Sequence, residues 1–216
     1  MRYTNVMKKF VLFDFDGVIS DSFGLAYAIS KSKCPHLTEE EYRKRFEGNI
    51  NDYKENVDAH GPDCRLDMDF FSEYVPRMKS EVRLVPKMGE TVTALAQEYT
   101  LIVVSSTISS PIQEFLISHN LSQHFSWIMG NDVHKSKVEK IKMVFEKYNI
   151  IATDCVFITD TLGDMHEASK MSIVSIGVTW GFHSHETLER GMPFRLVETP
   201  EELSHAISDV FTKVRT

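Results

Sequence analysis

The chain has 216 residues, 42% of them hydrophobic, enough for a sizeable core in one domain or in one domain with a small insert. Its formal net charge is −7 and it carries no basic block, which argues against a nucleic-acid-binding or anionic-membrane surface. Cys34, Cys64 and Cys155 are odd in number, far apart and form no CxxC pair, which speaks against a disulfide framework or a zinc site.

Two lysines precede the first apolar run, but that run is too short for a signal-peptide core and Asp14 breaks it. No stretch approaches the ~20 apolar residues of a membrane span. A cytoplasmic protein is expected, with no membrane partner. Phe10 to Phe13 reads as a strand buried on both faces, as in a parallel sheet. It ends in Asp14, with Asp16 two positions on and Gly17 after it. Alternation along extended chain starts both carboxylates on one side. Their repulsion is tolerable with a cation between them or a proton on one.

From about Ser22 to Val85 the pattern turns helical and shows no convincing strand. Ser22 to Lys33 predicts a helix that Pro35 ends. Thr38-Glu39-Glu40-Glu41 has the form of a capping box, with acids in the first turn of a second helix. Asn51 to His60, closed by Gly61-Pro62, predicts a third. Asp67 to Ser80 predicts a fourth, its aromatics and Met78 forming a packing stripe.

Strand–helix alternation resumes after Pro86. A helix over Gly89 to Gln97 leads to a strand over Thr100 to Ser105. A helix over Ser110 to Ser118, with Pro111 early, leads to a strand over Trp127 to Met129. A polar loop, Asp132 to Lys137, precedes a helix over 138–147 and a strand, Cys155 to Thr159, that ends at Asp160. A helix over Leu162 to Ser169, a strand over Ser172 to Gly177 and a helix over Pro200 to Phe211 complete the chain. The expected fold is α/β: a Rossmann-like parallel sheet with right-handed crossovers. Residues 1–20 and 86–216 form its core, and residues 21–85 an inserted α-helical cap.

Three strands thus end in polar side chains, Asp14, Ser105 and Asp160, at one edge of the sheet. Asp164 lies one turn into the helix after Asp160, and Lys135 and Lys137 sit in a loop just before a helix. Carboxylates, a hydroxyl, a lysine and helix N-termini suit a phosphate group held with a divalent cation. Hard Mg²⁺ takes a few carboxylate oxygens, a carbonyl and waters. One carboxylate can attack phosphorus, and a second two residues on can protonate the leaving oxygen and later activate water.

With these motifs the whole chain resembles the haloacid-dehalogenase superfamily of phosphatases, in the branch with a helical cap between the first two motifs. The resemblance rests on FVLFDFDGVISDS, LIVVSS, DVHKSKVEK and VFITDTLGDMHEA, in that order. GVTWGFHSHETLERG is similar to a segment of the phosphoglycolate-phosphatase-like branch. The resemblance implies Asp14 as nucleophile and metal ligand, and Asp16 as general acid/base and, through its carbonyl, a second ligand. It implies Ser105, with the Ser106 amide, as the phosphoryl-oxygen site, and Lys137 as the lysine that neutralises developing charge. Asp160 matches a third metal ligand, and Asp164 a supporting carboxylate that orients metal-bound water or the lysine. Thr159, Ser136 and Val138 depart from the family's pattern, and the last two leave Lys135 as an alternative to Lys137.

The expected activity is Mg²⁺-dependent hydrolysis of a small phosphorylated metabolite, of the phosphoglycolate or sugar-phosphate type, through an aspartyl-phosphate. A phosphomutase of the β-phosphoglucomutase type uses the same residues, and a non-catalytic phospho-ligand-binding protein is a further alternative. A monomer and a homodimer are both open. His166, His183 and His185 lack metal-ligand spacing, and Trp180 reads as a core or cap contact. Arg43, Arg45, Asn49 and Lys54 are candidates to reach substrate from the cap.

Overall fold

The computed structural model describes residues 9–53, 64 and 69–213. Its strands are β1 (Phe10–Phe13), β2 (Ser20–Asp21), β3 (Arg83–Leu84), β4 (Thr100–Val104), β5 (Phe125–Met129), β6 (Cys155–Thr159), β7 (Val174–Val178) and β8 (Arg195–Val197). Its α-helices are α1 (Phe23–Lys33), α2 (Glu39–Lys44), α3 (Phe71–Glu81), α4 (Met88–Glu98), α5 (Ser109–Ser118), α6 (Lys137–Tyr148), α7 (Leu162–Lys170), α8 (His185–Glu189) and α9 (Glu202–Lys213).

Six strands form one sheet in the order β5-β4-β1-β6-β7-β8, and each pairing is parallel. The side-chain period of two explains why both faces are apolar. Phe10, Leu12, Ile102, Val104 and Phe157 join one buried cluster, against Ile141 and Val144 of α6. Val11, Phe13, Leu101, Val103 and Ile158 join the other, against residues of α4, α5 and α9. Burying each such side chain contributes roughly 1.5–3 kcal/mol. This double burial lets continuous apolar runs fold as strands. No helix among the described residues is long and apolar enough to cross a membrane.

The chain between β2 and β3 is helical where it is described. The buried residues of α1 (Leu25, Ala26, Ile29, Ser30 and Lys33) recur at helical spacing. Thr38 and Glu41 form the expected reciprocal box at the start of α2: the Glu41 N–H donates to Thr38 Oγ1 at 3.2 Å and the Thr38 N–H to Glu41 Oε2 at 2.8 Å.

Three strands were not legible. β2 and β3 pair antiparallel through Ser20↔Leu84 and Asp21↔Arg83, where the helical segment joins the sheet. Two residues are too few to show alternation, so Arg83–Leu84 corrects the expectation of no strand before Val85. β8 adds a parallel edge beside β7 through only three residues. Of the third expected helix, residues 54–60 lie outside the described residues. Its start is a 3₁₀ turn over Ile50–Asp52, followed by extended Tyr53. The fourth is α3, which begins at Phe71; residues 67 and 68 lie outside the described residues.

The chain runs from β1 through β4 to β5 on one side, then returns through β6 to β7 and β8 on the other. The order therefore reverses between β1 and β6, and the crevice at their C-terminal ends is where such sheets bind ligands. Phe13 is in register with Val103 and with Ile158. Asp14 thus leaves the sheet one residue earlier than Ser105 and Asp160 leave theirs.

Candidate active site

At that edge Lys137 lies between two carboxylates. Its Nζ is 2.9 Å from Asp14 Oδ1 and 2.5 Å from Asp164 Oδ2. Asp14, Lys137 and Asp164 are 6%, 2% and 7% exposed, so the ions meet out of bulk water. Lys137 is the first residue of α6, and Ser136 caps that helix. Lys135 is exposed, and its carbonyl accepts a hydrogen bond from Asn51 Nδ2 at 3.0 Å. The structure therefore brings Lys137, and not Lys135, to Asp14.

Electrostatics sort the carboxyls. Burial pushes the Asp14 carboxyl well above the usual range, against the pull of Lys137 and with the push of Asp164 and Asp160. Burial also opposes the charge on Asp164. There the Lys137 ammonium, with hydrogen bonds from Lys137 and Thr159, outweighs it and holds the carboxyl below its ordinary value. The same two carboxylates hold the Lys137 ammonium above its ordinary value despite burial. Thr159, one of the departures noted in the sequence, points inward. Its hydroxyl donates to Asp164 Oδ2 at 2.9 Å and accepts the Thr161 N–H at 3.2 Å.

Asp160 is fully buried. Its Oδ2 accepts the Phe182 N–H at 2.7 Å, while its Oδ1 is buried without a hydrogen-bond partner. Burial lifts its carboxyl to about 7, the Phe182 N–H opposing and the Asp164 charge adding to the rise. A Cβ at Gly17, where φ is 75°, would come within 2.0 Å of Asp160 Oδ2, so glycine is what lets β1's loop pass so close. An orphaned carboxylate oxygen among anions is an unstable arrangement for protein atoms alone, and a hard cation fits it.

Among the described residues no group of three or more His, Cys, Asp or Glu side chains is arranged to hold a metal. The hydrogen bonding explains why. Asp164 is turned to Lys137 and Thr159, and the Asp16 side chain is turned away to two hydroxyls. Tyr74 Oη donates to Asp16 Oδ1 at 2.5 Å, and Thr107 Oγ1 donates to Asp16 Oδ2 at 2.7 Å. That leaves the carboxylates of Asp14 and Asp160, with main-chain carbonyl and water, as the donor set on offer.

Ser105 is fully buried, and its Oγ accepts the Thr107 N–H at 2.9 Å. Ser106 and Thr107, rather than Ser105, line the cavity above Asp14. That cavity measures about 350 Å³, with Asp14, Asp16, Lys137 and Asp164 at its polar end and Tyr42, Arg45 and Tyr53 among its walls. Of the candidates to reach substrate, Arg45 lines it. Arg43 instead pairs with Glu39 at 2.7 Å and stacks on Phe23, and Asn49 donates to Glu167 at 3.2 Å. Lys54 lies outside the described residues. His183 is a buried strut: its Nδ1 accepts the Leu162 N–H and its Nε2–H donates to the Arg43 carbonyl, each at 2.9 Å. Trp180 donates from Nε1 to the Val18 carbonyl at 3.2 Å.

Four residues here carried no role in the sequence. Glu167 Oε1 accepts from Asn49, Ser136 Oγ and the Lys137 N–H, fixing the start of α6. Its position three residues after Asp164, on the same helix face, was the available signal. Lys140 is fully buried, and its ammonium donates to the carbonyls of Ser105 and Gly130. Thr107 follows Ser105 by two residues. Nothing local distinguishes Tyr74 from a packing aromatic.

Residues 11–178 match the family described as haloacid dehalogenase-like hydrolase. A phosphoglycolate phosphatase of Vibrio parahaemolyticus is 24% identical, over 93% of this chain and 96% of that one. A phosphoglycolate phosphatase of Synechococcus elongatus is 21% identical, over 93% and 97%. Among solved structures, a haloacid dehalogenase-like protein from Agrobacterium tumefaciens superimposes with a TM-score of 0.76 at 17% identity, covering 94% of this chain and 98% of that one.

Proposed function

The chain belongs to the haloacid dehalogenase-like hydrolase family, and from that membership we propose that it is a phosphatase of small phosphorylated metabolites that acts through Asp14 and requires Mg²⁺. The observation that supports this best is the Lys137 ammonium held between the buried carboxylates of Asp14 and Asp164 at the end of a cavity of about 350 Å³. A dianionic phosphoryl group can approach Asp14 only where positive charge compensates both. Asp14 and Asp160 would hold Mg²⁺ with the Asp16 carbonyl, and the ion when bound would offset the phosphoryl charge.

In this reading an Asp14 oxygen attacks phosphorus and forms an aspartyl-phosphate as the P–O bond to the leaving group breaks. Asp16 gives the leaving-group oxygen a proton, then takes one from the water that cleaves the acyl-phosphate. Lys137 balances charge on the phosphoryl oxygens, and Asp164 and Thr159 keep it aimed. Ser106 faces the phosphoryl group, and Ser105 shapes the loop that presents it. Residues 21–85 serve as a cap that closes over the leaving group and excludes water. Losing the acid/base alone costs about 10²–10⁴ in rate.

The test is phosphate release from a panel including phosphoglycolate, sugar phosphates and nucleotides, with Mg²⁺ or EDTA, for wild type and Asp14→Asn. Metal-dependent release abolished in Asp14→Asn is the expected result. Full activity in Asp14→Asn would refute the mechanism, and an isomerised sugar phosphate without free phosphate would replace hydrolysis by a mutase reaction.

A further inference from the structure

The Asp16 carboxylate is gripped from two sides. Tyr74 of α3 donates to one oxygen and Thr107, beyond β4, to the other, at 2.5 and 2.7 Å. Each donor is itself held. The Thr107 N–H donates to Ser105 Oγ at 2.9 Å, and its carbonyl accepts the Asn131 N–H at 2.9 Å. A Cβ at Gly130 would lie 2.5 Å from that carbonyl, so the loop is packed too closely to drift. Tyr74 is 1% exposed and stacks on Phe70 with ring centroids 5.0 Å apart. With one hydroxyl on each oxygen, the carboxylate can neither rotate about its last torsion nor swing without breaking a charge-assisted bond.

We propose that Tyr74 and Thr107 are positioning residues for the acid/base Asp16, and that Tyr74 ties the aim of this acid to the docking of α3 over the site. The proposal rests on the phosphatase reading above. Neither residue touches the phosphoryl group in it. Both act through Asp16, by holding it where the leaving oxygen departs. Withdrawal of α3 would remove Tyr74 and free the carboxylate, so protonation would be efficient only with the helical segment in place.

The leaving group separates this role from a structural one. An alkyl phosphate needs a proton on its departing oxygen, whereas 2,4-dinitrophenyl phosphate leaves as a stable anion. The readout is kcat/KM, which reports only steps up to leaving-group release and excludes the water-dependent second step that all esters share. We compare an alkyl phosphate found active in the panel with the dinitrophenyl ester, for wild type, Tyr74→Phe, Thr107→Val, Thr107→Ser and Asp16→Asn.

The expected result is a fall in the alkyl-to-aryl ratio of about tenfold to a hundredfold in Tyr74→Phe and Thr107→Val, in the direction of Asp16→Asn. Thr107→Ser, which keeps the hydroxyl, retains a ratio near that of wild type. An equal fall on both esters, or no fall on either, overturns the positioning role and leaves the phosphatase reading standing. A wild type that releases phosphate from no ester of the panel and not from the dinitrophenyl ester overturns the phosphatase reading itself.

Discussion

Replacing Lys137 by Met removes the ammonium from between Asp14 and Asp164 while roughly keeping the side chain's volume. At 2.9 and 2.5 Å, each contact corresponds to roughly 6 kcal/mol of gross attraction at an effective dielectric of about 20. Desolvation of the buried ions offsets much of that, and breaking such a pair costs a net of about 3–5 kcal/mol. For a chain of 216 residues this lowers Tm by about 10 °C. The pH dependence carries the sign. The Asp164 carboxyl is held low in the fold, so its stabilising effect is present above the ordinary carboxylate pKa and lost as pH falls through the folded value. Burial already holds Asp14 high; without Lys137 it rises further and Asp164 rises too, so a proton is taken up on mild acidification, which relieves the variant. Urea unfolding of both proteins at about pH 8 and about pH 5 checks this, with the gap largest at the higher pH and narrower at the lower. A gap below about 1 kcal/mol at pH 8, or one that widens toward pH 5, would refute the electrostatic account.

Three further outcomes follow from the same geometry. Gly17→Ala places a methyl 2.0 Å from Asp160 Oδ2 at a φ of 75°, so it should destabilise by about 2–4 kcal/mol and abolish turnover; a thermal melt and a phosphate-release assay check it, and an active, stable variant would contradict the packing. Mg²⁺ at about a hundred times its Kd should raise stability by about 2.7 kcal/mol, and Asp160→Asn should cancel the shift; a calorimetric scan with and without EDTA reads it. Burial, with the like charge of Lys137, lowers Lys140 from 10.5 to about 8, so charging it handicaps the fold below that pH, and the handicap fades toward its ordinary value. The stability of wild type relative to Lys140→Met should therefore rise by up to about 3 kcal/mol between about pH 7 and about pH 10, and a flat difference would contradict it.

Lys140 and Lys137 show how legibility depends on the kind of signal. Both lie in one short polar-to-helical stretch, where the motif implies Lys137 and leaves Lys135 as an alternative. Only the structure separates the buried bonds of Lys137 to Asp14 and Asp164 from the exposed Lys135 and from Lys140, which is spent on the carbonyls of Ser105 and Gly130. Thr159 departs from the pattern of the family the sequence resembles. Folded, its hydroxyl holds Asp164.

What the sequence determined by itself is the set of strands buried on both faces and the polar residues at their ends. Continuous apolar runs fold only where two helical layers cover them, and parallel strands bring their C-terminal ends to one edge. That puts Asp14, Ser105 and Asp160 at the ends of neighbouring strands on one edge of the sheet. The tertiary structure decided the partners. Whether Asp16 faces a cation or two hydroxyls depends on Tyr74, 58 positions away, and Thr107, 91 positions away. Such contacts arise from how helices pack over a sheet edge, through burial that depends on shape, and no local periodicity encodes them.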